Sequence, residues 1–458
     1  MSEISRHVAR HALDTTEIGE SARAAARTFI LDTLGVGMAG ARAPFREAVV
    51  STATAWGRGE GAHVFGTGEA VPPTTAAYVN GFQIHSMEYD CVHEAAVVHP
   101  MATVFAALSA EAEANAHRGG AVTGRAFVEA VVLAVDVAVA LGTAVTTPLK
   151  FFRPATAGLF GATLGVARLR GLDVGTALSA MGCALAQCAG VMQAHLEGKP
   201  TLPVQIAGAA RAALVACDLA QAGLAGPESA LEGASGYFAM FEDAADMERL
   251  ADRLGAPHAV TQVSWKPFPT GRAAQGGITL MQELRARGVE AVAAERITLS
   301  APPIIPRLVA RPAVAGMSPN YARLCFAYLG AVTLLRGTVG LGDFARADLD
   351  DPDILSLAEK IGTVENGMSD PAAFTPQTLT ATMSDGSEVV AETDVLFGSP
   401  AFPLTRAQHI AKFRSCVGFG LSGVKAGPVA DRLIDLIDNL ERQDAMDEVF
   451  RLASGRTE

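Results

Sequence analysis

At 458 residues, half of them apolar and 18% charged, the chain is long enough for two domains with sizeable cores. A formal charge of −12, without any Lys/Arg run, excludes a phosphate-tracking nucleic-acid surface, although a few local cations can still dominate a closed pocket. The six cysteines lack CxxC spacing, and most read as buried thiols of a reducing compartment.

The N-terminus, MSEISRHVARHALDTTEIGE, has no apolar h-region, so a cytoplasmic location is expected. Residues 21–40 repeat apolar side chains at helical spacing (Phe29, Ile30, Leu34) and stop at glycine. A second helix is predicted over 74–89 behind Pro72 and Pro73, and a third from His99, with Pro100 suited to its first turn. The most hydrophobic window, 126–145, carries Glu129 and Asp136, which predicts a core helix and not a membrane span. In the helix predicted over 154–171, Gly158, Gly161 and Gly165 lower helix propensity, so close backbone packing is expected there.

After about residue 260 the texture changes. ERITLSAPP (295–303) alternates like a strand, and 378–393 reads as two strands around Ser384-Asp385-Gly386. Helices are predicted between them, over 321–337 and 353–361. The chain returns to helix at 403–418, where Thr405 and Gln408 have capping-box spacing. The expected fold class is mainly α with an α+β lid. A large helical domain would comprise residues 1–265 and 403–458, and the lid residues 266–402.

The segment richest in chemistry is HSMEYDCVHEAAVVHP, 85–100. His85 and Glu88 are three residues apart and would share a helix face. His99 stands where a helix N-terminus favours an anion. Three readings stay open: a metal site, a structural polar network, or an acid–base site, the last leading. There is no HExxH and no later motif to complete a ligand set, so no metal or other cofactor is expected. Three further stretches carry candidates: Arg153 at a helix start, His195 and Lys199 in HLEGKP, and Lys266 and Arg272 in SWKPFPTGRAAQGG, where a loop crosses between the two textures.

Taken in order, these stretches resemble the MmgE/PrpD family. HSMEYDCVHEAAVVHP is similar to its HSMDFDDTWHPATHP-like segment, FFRPATAGLFGA to FHPTATxGxFGAA, and WKPFPTGRA to the K-x-[FY]-P lid-entry motif. GKP resembles the lysine-proline element, and ARLCFAYLGAVTLLRG the helix that contributes a tyrosine. PLTRAQHIAKFRSCV resembles the C-terminal P-L-[ST]-R-x-x-x-x-x-K-F signature. The likeness runs from about residue 20 to 420.

The resemblance implies a homodimer with a cleft between a helical domain and a lid. It implies a cofactor-independent lyase acting on a small di- or tricarboxylic acid by removing a proton beside a carboxylate. Dehydration of a hydroxylated, 2-methylcitrate-like acid is the first expectation; epimerisation or decarboxylation of a related acid, or a non-catalytic carboxylate-binding dimer, are the alternatives. By residue it implies acid–base or anchoring roles for His99, Asp90 and Glu88, and a hydroxyl donor in Tyr328. It implies carboxylate binding by Lys199 and Lys266; Arg272, Arg153 and His85 join the substrate-binding set from their own positions. Four departures stand out: Arg153 and Gly271 where members often have histidine, Cys91 in place of a second acid, and one extra residue between His85 and His99. They point away from cis-aconitate decarboxylation.

Overall fold

The computed structural model describes residues 3–255, 257–370, 372–421 and 426–456. Small residues let the helices of the larger core approach closely. Helix Arg153–Leu169 packs on Gly124–Thr143 and Pro100–His117. A Cβ on Gly161 would lie 2.5 Å from the Ala134 carbonyl oxygen, the close approach expected of these glycines. Helix Gly124–Thr143 is buried along nearly its whole length, as a core helix is; Thr123 caps it by accepting from the Ala126 amide at 3.1 Å.

Both chain ends build this core. Its buried side chains run from Val8 to Val263 and resume at Phe413 through Ala453. Helix Arg406–Leu421 lies against Glu20–Ala39, joined by the buried pair Lys412 Nζ–Asp32 Oδ1 at 2.8 Å. Thr405 and Gln408 do form the reciprocal cap: the Gln408 side chain accepts from the Thr405 amide at 2.9 Å, and Thr405 Oγ1 from the Gln408 amide at 3.3 Å.

A separate core spans Phe268 to Leu396. Its four-stranded sheet has the order Ile361–Glu365, Ala294–Ala301, Gln377–Met383, Glu388–Thr393. The first pair is parallel and the other two antiparallel. Helices Arg272–Ala286 and Phe326–Arg336 pack together against it. The mainly helical fold with a small α+β part is the one expected.

Two local expectations are corrected. The helix expected over 353–361 ends at Ala358, and Ile361 opens an edge strand whose alternation is too short to stand out. The helix expected over 321–337 breaks into Pro319–Ala322 and Phe326–Arg336, with Cys325 extended between them. At this break the Arg323 carbonyl accepts from the Gly271 amide at 3.0 Å, which fixes Leu324 beside the entrance to helix Arg272–Ala286.

Candidate active site

Helix Pro73–Ser86 delivers His85 in its last turn, and helix Pro100–His117 begins immediately after His99. Between them the chain makes a tight loop in which Glu88 and Val97 adopt left-handed backbone (φ 49° and 50°). For a β-branched residue such as Val97 that conformation is costly, and surrounding structure must hold it. The Val97 amide donates to the Glu94 carbonyl at 3.0 Å and His93 pairs with Val98 around it, while the pairing of Val92 with Ser264 and Ser264 Oγ donating to Glu94 Oε2 at 2.7 Å anchor the loop. His85 and Glu88 meet across this turn, 3.7 Å apart, and not along one helix face as their spacing predicts.

Two imidazoles share one carboxylate. His85 Nδ1 lies 3.0 Å and His99 Nδ1 2.9 Å from Asp90 Oδ2, with the rings edge to face and their centroids 4.9 Å apart. Donation from both Nδ1 atoms leaves both Nε2 atoms free for other partners. Asp90 is fully buried, and Lys266, also fully buried, stands 3.9 Å from its Oδ1 and 3.0 Å from Glu88 Oε2. His85, Asp90 and His99 bring one potential ligand atom each within 4.8 Å of one another.

The charges divide the two imidazoles. Burial disfavours a charged His85, but Asp90 and Glu88 outweigh it and raise its pKa. At His99 burial wins, helped by Lys266 and by His85, so its pKa is lowered despite Asp90. Burial would raise the Glu88 carboxyl, yet Lys266 and the two imidazoles pull it down to about 2. Asp90 is held well below the usual carboxylate range, the two imidazoles and Lys266 overcoming its burial.

The cluster opens on a cavity of about 70 Å³ walled by His85, Glu88, His99, His195 and Arg272, with Phe152, Leu308, Leu324 and Phe374 supplying apolar surface. Small-molecule pockets are usually about 300–1,000 Å³, so this cleft is closed and must widen to admit a ligand. Arg272 is buried; its Nε pairs with Glu94 Oε1 at 2.8 Å, while its Nη2 has no hydrogen-bond partner. At Gly271 a Cβ would come within 2.7 Å of Leu324 Cδ2, so a larger residue there would have to displace the lid wall. A larger open groove of about 1,120 Å³ lies elsewhere on the helical domain. It is lined partly by His63, Glu113 and Arg456, whose polar groups partner one another: His63 Nδ1–Glu113 Oε1 is 2.6 Å and Arg456 Nη1–His63 Nε2 is 3.2 Å.

The expected residues separate into two groups. His85, Glu88, Asp90, His99, Lys266 and Arg272 come together, with Lys266 holding Glu88 and Asp90 and not facing the cavity. Tyr328, expected as a hydroxyl donor in the site, lies inside the lid's own core, where the buried phenol donates to the Asp343 carbonyl. Arg153 is buried too, but its guanidinium is committed to Glu242, with Nε–Oε1 at 2.9 Å, away from the cavity wall. Lys199 is exposed beyond the short helix Gln193–Leu196, and His195 is the residue of that stretch on the wall.

Arg323 escapes sequence reasoning altogether. It is 2% exposed, its Nε and Nη1 have no partner, and its guanidinium lies 4.2 Å from the Phe344 ring centroid. Burial draws its pKa down to about 10 against the pull of Glu88. An arginine within a helical pattern ordinarily signals a solvated face, so no local signal marks it.

Residues 2–250 match the MmgE/PrpD N-terminal domain and residues 268–435 the MmgE/PrpD C-terminal domain. The chain is 25% identical to a cis-aconitate decarboxylase of Mus musculus over 461 residues, covering 97% of this chain and 92% of that protein. It is 26% identical to the cis-aconitate decarboxylase-like protein oryM of Aspergillus oryzae, covering 94% and 92%. It is 25% identical to a cis-aconitate decarboxylase of Homo sapiens, covering 94% and 90%. Matches to both halves of the fold, in the order in which the two cores occur, establish the relationship: the chain belongs to the MmgE/PrpD family.

Proposed function

We propose that this protein is a cofactor-independent lyase that removes a proton beside a carboxylate of a small polycarboxylic acid, dehydration of a hydroxylated acid being the favoured reaction. Family membership supports a lyase-type function. The observation that carries the reading is the pair of imidazoles on one buried carboxylate, shifted in opposite directions. Groups whose environments push their pKa values apart are suited to divide acid and base work. His99, whose pKa is lowered, is suited to take the proton through Nε2; His85, whose pKa Asp90 and Glu88 raise, is suited to return one. The unpaired Nη2 of Arg272 offers a cationic donor to a substrate carboxylate, and Lys266 fixes the two acids behind the imidazoles.

The same geometry argues for protons and not a divalent cation in the cluster. Asp90 Oδ2 already accepts two hydrogen bonds at 2.9 and 3.0 Å, and the ammonium of Lys266 beside it would repel added positive charge. Prolonged chelation is expected to leave activity intact, and activity that vanishes with an extracted metal would overturn that expectation. We also propose a homodimer, which light scattering tests.

Decarboxylation is the second reading, favoured by the names of the relatives. One experiment separates the two. The protein is incubated in D₂O with hydroxy-, imino- and unsaturated polycarboxylates and followed by NMR. A new double bond from a hydroxy acid supports dehydration; loss of carbon dioxide from cis-aconitate supports decarboxylation. Neither product nor solvent exchange with any acid would overturn the lyase reading.

A further inference from the structure

We infer that His195 reads a substrate hydroxyl in this cleft and thereby sets its preference for hydroxylated over non-hydroxylated acids. The inference rests on the polycarboxylate reading and deepens it.

His195 sits on the short helix Gln193–Leu196, is 8% exposed, and shares the cavity wall with His85, Glu88 and His99. Its Nδ1 is buried without a hydrogen-bond partner, although the backbone beneath the ring is well held. The His195 carbonyl accepts from Arg311 Nη2 at 3.1 Å and from the Gly198 amide at 3.1 Å. A buried polar atom on a rigid mount, at a cavity and without a partner, is one whose partner the ligand should supply.

The chemistry of the ring selects that partner. Burial, with Arg311 and the two nearby imidazoles, holds the His195 pKa down to about 4 against the pull of Glu88. The ring is therefore neutral at physiological pH and offers one N–H donor and one lone pair. A hydroxyl can donate to a lone pair or accept from an N–H, so it suits Nδ1 in either tautomer of the neutral ring. A carboxylate, which only accepts, is better served by the spare N–H groups of Arg272. The wall thus separates two tasks: Arg272 for charge, His195 for the neutral oxygen.

Citrate and tricarballylate, which carry the same three carboxylates and differ by one hydroxyl, test this by calorimetry on the full chain. The parent is expected to bind citrate about 3–10-fold more tightly, the range of one net hydrogen bond. His195→Leu should bring the ratio close to one by weakening citrate and leaving tricarballylate unchanged. His195→Asn, which keeps a donor and an acceptor near Nδ1, should retain part of the preference. Circular dichroism checks the fold, and His195→Ala takes the same test if His195→Leu does not fold. A parent that binds both acids equally, or a folded variant that keeps the parent's ratio, overturns the role of His195 alone. A parent that binds neither acid overturns the polycarboxylate reading, and this inference with it.

Discussion

Among the described residues, two His–Asp–His clusters have the same composition but different surroundings: the first lines the closed cleft between the helical core and the lid, while the second borders a surface groove through His11. In the first, His85 and His99 converge on Asp90. In the second, His11 Nε2 lies 3.1 Å and His258 Nδ1 2.6 Å from Asp136 Oδ2. The difference lies in what surrounds each carboxylate. Asp136 also accepts the Ala259 amide at 2.6 Å, so it ties helix Ile4–Asp14, the core helix and the segment at 258–259 together. Asp90 has Lys266 close by and Glu88 near one of its imidazoles, and both imidazoles belong to residues that line a closed cleft. A shared carboxylate orients imidazoles; the neighbouring charges and the void decide whether they fasten the fold or transfer protons.

The sharpest way to break this contrast is in the rates. His99→Gln is expected to lower kcat by roughly 10²–10⁴-fold with little change in KM, the usual span for a lost general acid or base. His11→Gln should leave kcat within about 3-fold of the parent, since its ring touches no cavity that holds the reaction. Steady-state kinetics on the substrate found by NMR checks both, and comparable losses in the two variants would erase the distinction.

Stability should respond the other way round. Asp136→Ala leaves two partly buried imidazoles and the Ala259 amide without their acceptor and is expected to cost about 1–3 kcal/mol in urea unfolding. Its kcat at a temperature where it stays folded should match the parent's. A loss below 1 kcal/mol would mean that this cluster does not fasten the domain.

A third, smaller effect concerns the setting of the proton-transfer pair. Lys266 is among the groups that lower His99, so Lys266→Met should raise the His99 pKa. Activity that needs neutral His99 falls as pH drops through that pKa. In the variant this acid limb should therefore move to higher pH, and an unmoved limb would remove Lys266 from the electrostatics of the site. Glu88, held at about 2 in good part by Lys266, should rise in the same variant.

The smallest expected effect separates the clusters by pH. The hydrogen bond to Asp136 raises the His258 pKa above its ordinary 6.5, against partial burial. A raised folded-state value means that this stabilisation is complete below about 6.5 and is lost as pH rises through the folded pKa. Stability measured between pH 6 and 9 should decline by that component, and His258→Gln should flatten the decline. An identical slope in the variant would show that His258 is not the titrating group.

Much of the site was legible because its residue types are concentrated. His85, Glu88, Asp90 and His99 lie within fifteen residues between two apolar helices, so short connections had to bring them together. Lys266 and Arg272 were legible from their loop at the change of texture, where a cleft forms between separate cores. The capping box at Thr405 and the hairpin at Asp385 were legible because they are local hydrogen-bond patterns. Tyr328, Arg153 and Lys199, expected at the site, do not line the closed cleft. A buried phenol takes whichever acceptor lies near, a buried guanidinium takes whichever carboxylate, and those partners, Asp343 and Glu242, lie far along the chain or in another element.

What the sequence determined by itself is therefore what short-range physics dictates: helices from apolar periodicity, turns from glycine and Asx chemistry, and the class of site from a dense run of imidazoles and acids. What only the tertiary structure decided is which charges face one another. Asp90 and Asp136 carry the same side chain, each with two histidine partners of its own, yet Lys266 reaches the first through a backbone pairing between Val92 and Ser264, distant in the chain. Electrostatic energy at such a site depends on distance and burial and not on position along the chain, so proton-transfer character appears only once the fold has closed around it.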